Sequence, residues 1–184
     1  MPYTTLGSAT AGQVYTAAAH NAIIGNLNTL GPAAFNVQST TKVDPFTSTS
    51  TSLVDVTGLS VSITPSSASS KVLVVVSLSI IAITDTYNVR GAILRGSTQI
   101  AGGTAASLRP SATFALNRSR GPVVQTFCHL DSPATTSATT YKVQVATEGT
   151  AGAGVAVNRS DGGDSDSTAL PRTASSITVI EVPV

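Results

Sequence analysis

The chain has 184 residues and a formal net charge of +1, with 41% hydrophobic and only 10% charged residues. That length suits one packed domain with a short appendage and excludes two large domains, while a high apolar share with almost no net charge excludes intrinsic disorder. The polar surface has to come from Ser, Thr, Asn and Gln, and so few charges oppose self-association only weakly.

The first thirty residues lack a basic start followed by an apolar core, so synthesis in the cytosol without a secretion signal is expected. "VYTAAAHNAIIGNLNTLGP" reads as a helix: Thr16 is the N-cap, Ala17 to Ala19 favour helix, Ile23, Leu27 and Leu30 form a stripe that Ile24 widens, and Gly31 and Pro32 end it. A helix this short is marginal alone, so its stripe needs a surface. The organisation that follows is an N-terminal segment over residues 1–33 and a β-rich body over residues 34–184.

"FNVQSTTKVDPFTSTSTS" predicts an irregular strand and a loop. In "GLSVSIT" Leu59, Val61 and Ile63 alternate with Ser60, Ser62 and Thr64, whereas Val54 and Val56 take the opposite parity, which places a bulge or kink at Gly58. "TPSSASS" is an exposed loop. After Lys71 the chain turns apolar on both faces: Val72, Val74, Val76, Leu78 and Ile80 on one, Leu73, Val75, Ile81 and Ile83 on the other. At roughly twelve residues, Val72 to Ile83 is too short for a membrane-spanning helix, which needs about 20.

Further strands are predicted in "NVRGAILRG", "SATFALNR", "GPVVQTFCHL", "TTYKVQVATEG", "AGVAVNRS" and "SSITVIEVPV", with Gly- or Pro-containing loops between them. About eight or nine short strands without intervening helices call for a mainly β, antiparallel sandwich or barrel.

In such a fold one face of a sheet meets the core and the other meets water. Leaving Leu73, Val75, Ile81 and Ile83 wet would forfeit about 1.5–3 kcal/mol each. Their cover is either a loop or the helix of the same chain, or the same sheet of neighbouring subunits about a symmetry axis.

The chemistry-bearing residues do not assemble into a motif. Zinc needs about four ligands with a closely spaced pair, against one cysteine and two histidines, His20 and His129, in this chain. Cys128 and His129 are adjacent on a predicted strand and so point to opposite faces. No Gly-x-Ser-x-Gly occurs, and "GDSDS" at Gly163 to Ser167 sits in a polar loop with no helix after it. "GTAGAG" lacks the third dinucleotide glycine, Val157 standing there. Asp161, Asp164 and Asp166 depart from the calcium-loop pattern. The "NRS" triplets at Asn117 and Asn158 read as strand ends turning polar. Arg118 and Arg120 have no interleaved aromatics for base stacking, so no nucleic-acid partner is expected. A paired-carboxylate site would require Asp131 or Glu148 to meet another acid. No catalytic, cofactor or metal site is assigned, and an enzyme is not expected. Charge is segregated: no acid lies between Asp85 and Asp131, while Arg90, Arg95, Arg109, Arg118 and Arg120 do.

"TAGQVYTAAAHNAIIGNLNTLGP" resembles the opening of many tailed-bacteriophage virion proteins, and "TPSSASSKVLVVVSLS", "TTYKVQVATEG" and "SSITVIEV" are similar to phage fibre and head-decoration domains of the jelly-roll kind, related in shape to C1q and tumour-necrosis-factor trimers. The resemblance implies a jelly-roll β-sandwich that forms a homotrimer on the virion exterior after synthesis in the host cytoplasm, with Leu73, Val75, Ile81 and Ile83 at the subunit interface. It implies anchoring to other virion proteins, capsid or tail, through Ile23, Ile24, Leu27 and Leu30. It also implies a sheet shared by the run after Lys71 and the strand from Ser175 to Val182. The expected role is a capsid decoration protein or a short tail fibre; the alternative is a module that contacts a host receptor glycan, and neither involves a membrane.

Overall fold

A computed structural model of the chain describes residues 18, 20, 21, 23–25, 36–84, 86–117, 121–149, 153–160 and 171–184. The first six of these positions are helical, with Ile23 half-buried and Ile24 exposed; Leu27 and Leu30 lie outside the described residues. The body consists of β1 (Val37–Lys42), β2 (Phe46–Ser48), β3 (Val54–Ile63), β4 (Lys71–Ala82), β5 (Val89–Arg95), β6 (Thr98–Ile100), β7 (Phe114–Leu116), β8 (Val123–Asp131), β9 (Thr139–Thr147), β10 (Val155–Val157) and β11 (Ser175–Val182).

These strands form two antiparallel sheets arranged as a sandwich. In the first, β4 is central. One of its edges pairs with β8 over Val72 to Ile80, and the other is divided between β11, over Lys71 to Ser77, and β10, over Ile80 to Ala82. β1 lies outside β11 and β2 outside β10. In the second sheet the order is β3, β9, β5, with β6 and β7 sharing the far edge of β5.

Among the described residues, eleven strands replace the expected eight or nine for two local reasons. Pro45 has no N–H for the ladder and, with Asp44, divides the first irregular strand into β1 and β2. "STQI", expected in a loop, forms β6 by turning back on β5 through Gly96 and Ser97, with Gly96 at a φ of 57°. That hairpin is legible as Gly-Ser between strands, but three residues carry no visible periodicity.

The core follows the alternation read from sequence. Val72, Val74, Val76, Leu78 and Ile80 of β4 pack against Leu59, Val61 and Ile63 of β3 and Tyr141, Val143 and Val145 of β9. At Gly58 the φ is 80° and the β3–β9 register shifts between Asp55 and Ser60. This bulge lets Val56 and Leu59, three positions apart, both face inward.

Polar clusters fasten the sandwich where the aliphatic core ends. Between the sheets, Arg95 Nη1 donates to both carboxylate oxygens of Asp131 at 2.9 and 2.8 Å, and the Tyr141 hydroxyl donates to Oδ2 at 2.8 Å. Burial, then the carboxylate, raises the Tyr141 hydroxyl above the ordinary phenol range. At the end of β11, buried Glu181 accepts from Asn36 Nδ2 at 2.7 Å and from Ser66 N and Oγ at 2.7 and 2.5 Å. The serine loop before Lys71 is therefore a lid on a carboxylate. A third cluster centres on Asn158, which is fully buried with a φ of 62°. Its Nδ2 donates to the carbonyls of Lys42 and Asp44 at 2.9 and 3.2 Å, and its Oδ1 accepts from Ser175 Oγ at 2.6 Å.

Candidate assembly face

β-Strand pairs place directly opposed residues on the same side of a sheet, so the registers of the first sheet define cross-strand rows on its outer surface. One row is Val37, Ile180, Leu73 and Leu130, from β1, β11, β4 and β8 in turn. The next is Ser39, Thr178, Val75 and Cys128, and the third is Thr41, Ser176, Ser77 and Thr126. None of these residues carries a charge. Val37 and Leu130 are 44% and 45% exposed, Leu73, Val75 and Ile180 are half-buried, and Val124, farther along β8, is 62% exposed. Four large aliphatic side chains in a row, with hydroxyls beyond them on one side and Val182 and Lys71 on the other, form an apolar stripe facing solvent.

The expected interface residues divide into two groups. Leu73 and Val75 lie in this stripe. Ile81 shares their parity but is fully buried, and Ile83 is half-buried against Gly154, where an added Cβ would stand 2.5 Å from Ile83 Cδ1. The far half of the ribbon is thus largely closed by the chain itself, and the uncovered surface is narrower than its sequence suggests. Ile180, Val37 and Leu130, which periodicity did not single out, replace them. Ile180 shares a strand face with Ser176, Thr178 and Val182, so only the register with Leu73 reveals its place. The pairing of β11 with β4 agrees with the shared sheet that the resemblance implies.

The stripe runs to an unusual edge. Exposed strand edges are normally blunted by shortness, inward charges, proline or bulges. Here β2, β6 and β7 have three residues each, β1 ends in the inward, buried Lys42, and β3 is bulged at Gly58. β8 shares one of these devices, ending in the inward, buried Asp131, but is long and regular. Its nine residues keep an unbroken register with β4, contain no proline, lysine or arginine, and among the described residues pair on one edge only.

Residues considered for chemistry remain apart. Cys128 is exposed on the outer face while His129 points inward, half-buried. Asp131 meets Arg95 and Tyr141 rather than another acid, and Glu148 accepts from Asn88 Nδ2 at 2.9 Å. Among the described residues no three His, Cys, Asp or Glu side chains gather into a group able to hold a metal ion, and no helix is long and apolar enough to cross a membrane. Arg118, Arg120, Asp161, Asp164, Asp166 and the "GDSDS" segment lie outside the described residues. Asn158, the second "NRS" asparagine, directly follows the end of β10 as expected, but it is buried as an internal hub. The sequence matches no protein-family model and no curated protein.

Proposed function

We propose that this protein is a non-enzymatic structural subunit of a tailed-bacteriophage virion exterior, a jelly-roll domain that assembles as a homotrimer through the outer face of its first sheet and serves as a capsid decoration protein or short tail fibre. The observation that carries the self-association is the uncharged apolar stripe running onto the edge of β8, which is unpaired among the described residues. An isolated subunit would leave both in water, at a cost in apolar burial and with an edge open to indiscriminate pairing. The jelly-roll reading is supported by strand order: β1, β11, β4, β8 in one sheet and β3, β9, β5, β7 in the other, the arrangement that two interlocked Greek keys produce. Three copies and the virion location come from the resemblance of the N-terminal segment and strand series. In this reading Ile23, Ile24, Leu27 and Leu30 dock the N-terminal segment on a capsid or tail protein.

Cys128, the sole cysteine, stands beside Val75 in the stripe and reports its cover directly. Native mass measurement is expected to give three subunits, with Cys128 slow to react with a thiol reagent. Leu73→Glu places a charge in the seam at a cost of about 3 kcal/mol per copy, roughly a hundredfold in association, and is expected to give single subunits with fast-reacting Cys128. A wild-type chain that is a single subunit at working concentration with a freely reactive Cys128 rejects the assembly. The location is tested on purified phage: antibody labelling is expected to decorate the particle surface, and unlabelled particles reject a virion role.

A further inference from the structure

The two lateral flanks of the sandwich differ. On one, β5 and β8 are tied by the Arg95–Asp131 pair, so the edge strands β6 and β7, which pair with β5, lie on the same side as the edge of β8 that is unpaired among the described residues. On the other, β1 packs beside β3. From the first flank, between β6 and β7, projects a finger in which every residue from Gly102 to Pro110 is exposed. It is nonetheless tied: at its base Gly103 N donates to Ala112 O at 3.0 Å and Gln99 Nε2 to Ser111 Oγ at 3.1 Å, and at its tip Ala106 and Arg109 exchange backbone hydrogen bonds of 3.1 and 2.9 Å. Ser107 takes a φ of 53° to close that tip. Leu108 is thereby held out at 97% exposure, next to the exposed Arg109.

The opposite flank carries a counterpart. At the corner between β1 and β2, Val43 is 67% exposed and the Asp44 side chain 72% exposed. Each flank thus presents one prominent aliphatic side chain beside one exposed charged group, and the groups are opposite in sign: Arg109, which makes no ion pair among the described residues, against Asp44, whose Oδ2 accepts from the buried Lys42 Nζ at 2.6 Å while the rest of its carboxylate stays open to solvent.

We propose that the finger of one subunit seats on the β1–β2 corner of a second copy of this chain, Leu108 against Val43 and Arg109 beside Asp44. Contact between different patches on two flanks is heterologous, and repeated about an axis it closes a ring. Flank-to-flank pairing of identical fingers would instead oppose Arg109 with Arg109, which like charge disfavours. The proposal rests on the self-association argued above and adds to the stripe a second contact that fixes the handedness of closure.

The test uses the full chain carrying Cys128→Ser, with Leu108→Cys and Val43→Cys together, treated with a short bis-maleimide and separated under denaturing conditions. Both positions are exposed, so the fold is preserved. Covalent products of two and three copies are expected, with products no larger than two copies from either cysteine alone. In a chain whose native mass is three subunits, absence of three-copy product overturns the finger contact while leaving the trimer intact. Products limited to two copies from the double variant overturn heterologous closure. A native mass of one subunit, with no product at all, overturns both.

Discussion

Replacing Asn158 by alanine is expected to lower the unfolding free energy by about 3–4 kcal/mol, a large part of the 5–15 kcal/mol typical of a domain. The side chain joins three segments far apart in sequence: the corner after β1 through the Lys42 and Asp44 carbonyls, the start of β11 through Ser175 Oγ, and β4 through Ser175, whose Oγ accepts from Ser79 N at 2.9 Å. Alanine leaves these groups without partners in a site closed to water, at about 1–3 kcal/mol for each group fully buried. It also puts alanine in a left-handed conformation that asparagine adopts more readily, about 1 kcal/mol more. Asn158→Gly relieves the second cost and not the first, so urea unfolding at fixed protein concentration should rank wild type, glycine and alanine in that order. An alanine variant within 1 kcal/mol of wild type would show that the hub contributes little.

Glu181 makes stability depend on acid. Burial alone would raise its carboxyl, but hydrogen bonds from Ser66 and Asn36 outweigh that and hold it down at about 2, against an ordinary value of 4.5. A carboxyl whose folded value lies below its unfolded value contributes stability that is fully present above the unfolded value and is lost as pH falls through the folded one. The window therefore runs from about pH 4.5 down to about pH 2, and the loss is about 3 kcal/mol. Urea midpoints across that range should fall steeply for wild type. Glu181→Gln sets an amide N–H against donors, so it should be weaker at neutral pH yet much flatter in acid. A slope remains because Asp44, through Lys42, and Asp55, through Gln144 and then Lys142, also sit below the ordinary carboxylate range. Equal slopes in wild type and variant would remove Glu181 as the acid-sensitive group.

The aliphatic framework of this fold is legible in sequence because burial imposes a period of two, and β4 and β11 obey it over eight residues, β9 over seven and β3 on either side of its bulge. The parity break at Gly58 is legible for the same reason. The polar fasteners are not. Asn158, Glu181 and Asp131 look like ordinary strand-end polar residues, and their partners lie 116, 145 and 36 positions away along the chain. The proposed assembly face falls between these cases: the two-sided apolarity of β4 points to it, but Ile81 is closed within the subunit, and Ile180, Val37 and Leu130 join Leu73 only through the register of four strands.

One further consequence lies in the place of β11. The last strand in chain order is wedged between β1 and β4, both synthesised long before it. Until it emerges from the ribosome the first sheet has a gap at its middle, and the oiliest ribbon of the protein waits with half of one side unzipped. Contacts so distant in sequence form slowly, so closure of the first sheet is a late event that waits on the last strand rather than a gradual accretion.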